Sequence, residues 1–174
     1  MKKLLLILFS ILLFSGCDKE DDEDVTLPFE LDFVGKVSGC GDFSIIQELD
    51  SLNPNITLSI AGTGREELNI TNAGKTFSLP DSDLICNINI HERSNANNFC
   101  NDVIGEIPEL ISQWQAISGN ITLFVYDVEE TEFETYYKMN ILLEDVIFQK
   151  DASEERREIS RLVLEDIGLG FLPG

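Results

Sequence analysis

Few side chains in this sequence are of the kinds that carry out chemistry, and their spacing decides what that chemistry could be. His91 is the sole histidine. It has no second imidazole with which to build a zinc site, and no G-x-S-x-G stretch supplies a nucleophile for it to activate. The carboxylates present the opposite case. With 32 acids in the chain, some pair always lies at the separation that glycoside hydrolysis needs, so their number assigns no catalytic residue. Asp50, Asn53 and Asn55 gather three oxygen-bearing side chains in one short turn, a weak calcium candidate and the sequence's one cofactor signal. Calcium takes six to eight oxygens, and the D-x-[DN]-x-[DN]-G spacing is missing. A turn rich in Asp, Asn and Pro for backbone reasons explains the same residues. Among the aromatics, Trp114 reads as a core residue, while Tyr126, Tyr136 and Tyr137 gather on one stretch. Successive residues of a strand point to opposite faces, so Tyr136 turns away from Tyr137. Tyr126 and Tyr136 are therefore the candidate ligand contacts.

The elements that must hold these residues are mostly of period two. Phe29, Leu31 and Phe33 alternate with polar residues, as do Ile56, Leu58 and Ile60, and then Leu84, Cys86, Ile88 and Ile90. Leu68 with Ile70, and Phe77 to Leu79 before Pro80, read as shorter strands. Gly62-Thr63-Gly64 and Asn72-Ala73-Gly74 are turn signals between them. Ile121 to Tyr126 and Phe133 to Gln149 read as a long hairpin. One segment differs: over 106–117, Leu110, Ile111, Trp114 and Ile117 recur at helical spacing after Pro108, which predicts one short helix. For 151–167 a capping box at Asp151 and Glu154 competes with a strand. Leu164-Glu165-Asp166-Ile167 echoes Leu143-Glu144-Asp145-Val146, and the echo favours a strand ending near Gly168. The resulting expectation is an all-β fold, an antiparallel β-sandwich of roughly eight to nine strands with one short helix, occupying residues 28–174 as a single domain.

The chain begins with Lys2 and Lys3, an apolar run from Leu4 to Phe14, and then Ser15-Gly16-Cys17. The run is too short to span a bilayer, for which about 20 residues are needed, and matches the apolar part of an export signal. With its small residues before a cysteine, the stretch resembles the lipobox of bacterial lipoproteins. That resemblance implies a signal peptide over 1–16, lipidation at Cys17 and membrane attachment through it. Residues 17–27 then hold the lipidated cysteine and a tether whose Asp18 to Asp24 contain six acids and one lysine, a composition that cannot bury a core. Lys19 followed by two acids resembles the signal that sends Bacteroidota-type lipoproteins to the cell surface. Asp18 directly after the cysteine resembles the inner-membrane retention signal of enteric bacteria, so a periplasm-facing location is the alternative. Asp50-Ser51-Leu52 is similar to the acceptor motif for O-linked glycans in Bacteroidota-type exported proteins.

Export places the other cysteines in an oxidising compartment. Cys40 and Cys100 fall at element edges and are the expected disulfide, with Cys86 free on the apolar face of its strand. Pairing of Cys86 with Cys100 closes a shorter loop and is the alternative. The net charge of −20 disfavours nucleic acid as a partner. Together these features predict an outer-membrane, lipid-anchored lipoprotein with a non-catalytic interaction domain whose protein or glycan partner is unknown. A carbohydrate-binding or carbohydrate-active surface lipoprotein of a glycan-uptake system is the second reading.

Overall fold

The computed structural model describes residues 27–28, 30–81, 83–95, 99–100, 106–132 and 135–170. Cys17 and the acidic tether lie outside the described residues. Among the described residues eight strands are formed: β1 (Val37–Cys40), β2 (Ser44–Glu48), β3 (Ile56–Gly62), β4 (Lys75–Ser78), β5 (Leu84–His91), β6 (Leu110–Glu130), β7 (Thr135–Lys150) and β8 (Arg156–Gly170). A single helical turn, α1 (Arg65–Leu68), follows β3.

The strands make one sheet in the order β1-β2-β3-β5-β6-β7-β8, each paired antiparallel to the next, with β4 on the remaining stretch of the β6 edge. The antiparallel all-β class stands. In place of two facing sheets, the described strands form one sheet that curls until its last strand returns to its first. Gly170 N donates to Gly41 O at 2.9 Å across that seam. A curled sheet encloses one core, and the buried residues form one cluster running from Leu27 to Leu169.

Curling demands bends, and the long strands supply them at bulges. In β6 the buried set switches from Trp114 and Ala116 to Ile121, Leu123 and Val125. In β7 it switches from Tyr137, Met139, Ile141 and Leu143 to Val146 and Phe148. Each switch means that an extra residue has been inserted, which bends and twists the strand. Asp145 sits at the β7 switch with φ of 51°, and Asp127 and Asp166, where the register shifts between β6 and β7 and between β7 and β8, have φ of 50° and 57°. Short polar residues of this kind tolerate the left-handed region at modest cost. The echo between Leu143-Glu144-Asp145-Val146 and Leu164-Glu165-Asp166-Ile167 is thus a repeated bulge on neighbouring strands. Gly119 completes the device opposite Asp145: its φ is 111°, and a Cβ there would lie 2.5 Å from Val146 Cα.

The helix expected over 106–117 is absent. Residues 110–117 open β6, with Trp114 facing Ile88 of β5 and Lys150 of β7. The helical spacing depended on Leu110 and Ile111, which are 46% and 48% exposed. Burial instead follows Trp114 and Ala116, at period two. Hydrogen bonding on both edges outweighs the weak preference of so short a helix. Leu68 and Ile70 are likewise not a strand. Leu68 ends α1, where Asn69 takes φ 52° and the Lys75 ammonium donates to the Leu68 carbonyl. Both side chains are buried all the same. The C-terminal segment is strand, as the echo predicts.

Candidate functional site

All three tyrosines stand at one end of the curled sheet, where β1, β3, β6 and β8 finish and β2 and β7 begin. Tyr137 points inward and is buried. Its hydroxyl donates to the Asp42 carbonyl in the β1–β2 turn, and the Arg65 guanidinium of α1 lies over its ring, 5.5 Å from the centroid. Burial, with Asp42 adding to it, pushes the Tyr137 phenol well above its ordinary range. Arg65 also reaches Glu130 at 3.8 Å. The ring is therefore clamped between the first hairpin and the helical turn.

The outer face of the same end carries a second group. Tyr126 of β6 is the register partner of Lys138 on β7, and Lys138 in turn lies opposite Gly168 on β8. The Tyr126 hydroxyl donates to Asp166 Oδ1 at 2.9 Å, and Lys138 Nζ is 3.0 Å from the same oxygen. Asp127 Oδ2 stands 3.8 Å from Lys138 Nζ. The Lys138 hydrogen bond and then that of Tyr126 hold the Asp166 carboxyl below its ordinary value. Desolvation and Asp166 raise Tyr126, and the hydrogen bond to Asp166 raises Lys138. The left-handed backbone at Asp166 is tied to β7, because its N–H donates to Asn140 Oδ1 at 2.9 Å.

Tyr126 and Tyr136, the two aromatic contacts expected from the sequence, are both half-buried. They do not form one platform. Tyr136 lines a trough of about 300 Å³ with Asp127, Glu129, Tyr137, Lys138, Gly168 and Leu169. Tyr126 lines the adjoining hollow beside Arg65, Asn72 and Val128, and Asp127 is common to both. Arg65, Asp127, Glu129, Lys138, Asp166 and Gly168 are members of this site that sequence reasoning missed. Alternation along β7 does place Tyr136, Lys138 and Asn140 on one face. The pairing with β8 that brings in Asp166 and Gly168 has no local signal.

The other candidates lie elsewhere. Asp50 Oδ1 accepts the N–H groups of Leu52 and Asn53, both at 2.7 Å, and Asn53 Nδ2 donates to both carboxylate oxygens at 3.2 and 3.1 Å. The Asn53 side chain, then the two backbone amides, lower the Asp50 carboxyl. Asn55 Nδ2 turns to the His91 carbonyl at 3.1 Å. The carboxylate is thus closing a turn, and among the described residues no group of three or more His, Cys, Asp or Glu could hold a metal ion. His91 ends β5, at the opposite end of the sheet from the tyrosines. Cys40 and Cys100 are joined in a disulfide, with Cα atoms 5.5 Å apart, and Cys86 is free and buried. Burial pushes the Cys86 thiol far up, which keeps it protonated and unreactive.

Comparison with known proteins finds no matching family model, no similar curated protein and no similar solved structure.

Proposed function

We propose that this chain is a lipid-anchored lipoprotein of the cell envelope, attached at Cys17, and that its curled β domain is a non-catalytic interaction module working through the tyrosine end. The anchor reading is supported by the order of two lysines, a short apolar run, two small residues and a cysteine, followed directly by the acidic stretch. Outer-membrane surface display is the favoured location and a periplasm-facing site the alternative. The interaction reading is supported by the trough beside Tyr136, a concavity with an aromatic wall and a few polar groups. The charged side chains around it are spent largely on one another, Lys138 on Asp166 and Arg65 on Glu130. Such an arrangement positions a surface.

A second reading, carbohydrate binding, draws on the same trough. Tyr136 offers a ring to a sugar face, and Asp127 and Glu129 offer acceptors to its hydroxyls. The anchor is tested by Cys17→Ala in cells supplied with labelled fatty acid. The variant is expected to lose the label and leave the membrane fraction. A variant that keeps both would contradict the anchor.

A further inference from the structure

Beside the trough β8 presents two glycines where its neighbour presents two large side chains, and Gly168 is the one that lines it. Gly170 lies opposite Tyr136 and Gly168 opposite Lys138. The two glycines differ in kind. Gly170 has φ of 125°, and a Cβ there would come within 2.4 Å of Thr135 O, so the backbone requires glycine. Gly168 lacks a left-handed φ, and a Cβ there would meet nothing within 4 Å. Close approach at the seam is served by Gly39, whose Cβ would run into the Gly168 carbonyl. A glycine inside a strand weakens it, and one that neither conformation nor packing demands marks a place where something else comes close. Its effect here is to keep the floor of the trough empty.

The charges around that floor select the occupant. Lys138 is held by Asp166 at 3.0 Å and reaches Asp127 only at 3.8 Å, so its charge is already matched. Glu129 has no ion pair among the described residues, and it stands opposite Tyr136 in the register of β6 and β7. A carboxylate beside an aromatic ring attracts an ammonium or guanidinium group, through charge and through the ring face together. At longer range the chain's net charge of −20 draws basic partners and repels acidic ones. The volume of about 300 Å³ suits one long side chain with its flanking backbone.

We propose that the trough floored by Gly168 receives a lysine or arginine side chain from an extended segment of a partner protein. This rests on reading the domain as an interaction module and names the kind of partner it takes. The test titrates the full chain with short Gly/Ser peptides carrying one central arginine, glutamine or glutamate, and with a neutral glucose trisaccharide, by calorimetry or NMR. The arginine peptide is expected to bind, more weakly as salt rises, and the glutamine and glutamate peptides not to bind. Gly168→Leu fills the floor and is expected to cut arginine-peptide binding by about tenfold or more, with an unchanged melting temperature. Glu129→Gln, an exposed change, is expected to cut it by about threefold. Equal binding of arginine and glutamine peptides, or wild-type affinity in Gly168→Leu, would overturn the proposal. Trisaccharide binding that depends on Gly168, without arginine-peptide binding, would overturn the basic partner and leave the interaction module standing. Hydrolysis of the trisaccharide by the full chain would remove the module reading itself.

Discussion

The two ends of the curled sheet are built on different principles. At the end holding Asp50 and His91, the Asp50 carboxylate closes its own turn on the amides of Leu52 and Asn53, and a longer tie joins Asn55 to the His91 carbonyl. Beneath them Trp114 is 1% exposed, with the Arg157 guanidinium 5.4 Å from its ring centroid. At the tyrosine end the contacts join strands far apart in sequence: Tyr126 with Asp166, Tyr137 with Asp42, Cys40 with Cys100. At the first end a carboxylate is spent within a single turn. Long-range closure leaves hollows between its members, and hollows are where a partner can sit.

The sharpest way to break this contrast is at Trp114. Trp114→Ala should destabilise the whole domain by about 3–5 kcal/mol, since a large buried side chain is lost from a packed core. Denaturant unfolding would measure it. The fraction still folded should bind at the tyrosine end as before. Loss of binding per folded molecule would mean that the two ends are not separable.

A somewhat smaller effect is expected from the disulfide. Cys40 and Cys100 are separated by 60 residues, and removing the link by paired serine substitutions should cost about 2–4 kcal/mol. Cys40 adjoins Gly41, whose carbonyl accepts the Gly170 amide. The loosening should therefore be local. Hydrogen exchange should accelerate at Leu169 and Gly170 well before it does at Ile90, and uniform acceleration would contradict the assignment of the disulfide to one end.

Smallest, and most diagnostic, is the response to pH. Asp50 and Asp166, one at each end, have carboxyls held below the ordinary 3.8. A carboxyl depressed in the folded state contributes stability above its unfolded value and loses it as pH falls through the folded value. Acid should loosen both ends together. Tyr137 is raised from the ordinary 10.0, so its contribution is complete below that value and fades as pH rises above it. The chain's three tyrosines are all at one end, and Cys86, whose thiol burial also raises, lies two residues from the start of β5 near that same end, so alkali should loosen that end first. Methyl NMR signals of Leu169 and Ile90, followed across both limbs, separate the cases. Alkaline broadening at Ile90 before Leu169 would reverse the order.

How much of this was legible follows from what each feature depends on. The strands β3, β5 and β7 alternate plainly, because one face of each lies in the core, and that period is written residue by residue. The start of β6 imitates a helix because Leu110 and Ile111 are apolar yet exposed, so the spacing includes residues that do no packing. The echo around Asp145 and Asp166 was visible, but its meaning was not. It marks a left-handed bulge repeated on two strands, which only the dihedral angles reveal. Cys40 and Cys100 stood out by their positions at element edges, and Tyr136 by its parity. Gly168 did not stand out, because its role depends on what lies across the strand pair, and register between distant strands has no local trace.

The claim that the tyrosine end is the working surface is tested most directly by mapping. Amide NMR signals of the full chain should be followed while the arginine peptide is added. Shifts are expected to concentrate at Glu129, Tyr136, Lys138 and Gly168, with Asn53, Asn55 and His91 unmoved. Shifts centred on those last three residues instead would place the binding surface at the wrong end and contradict the account.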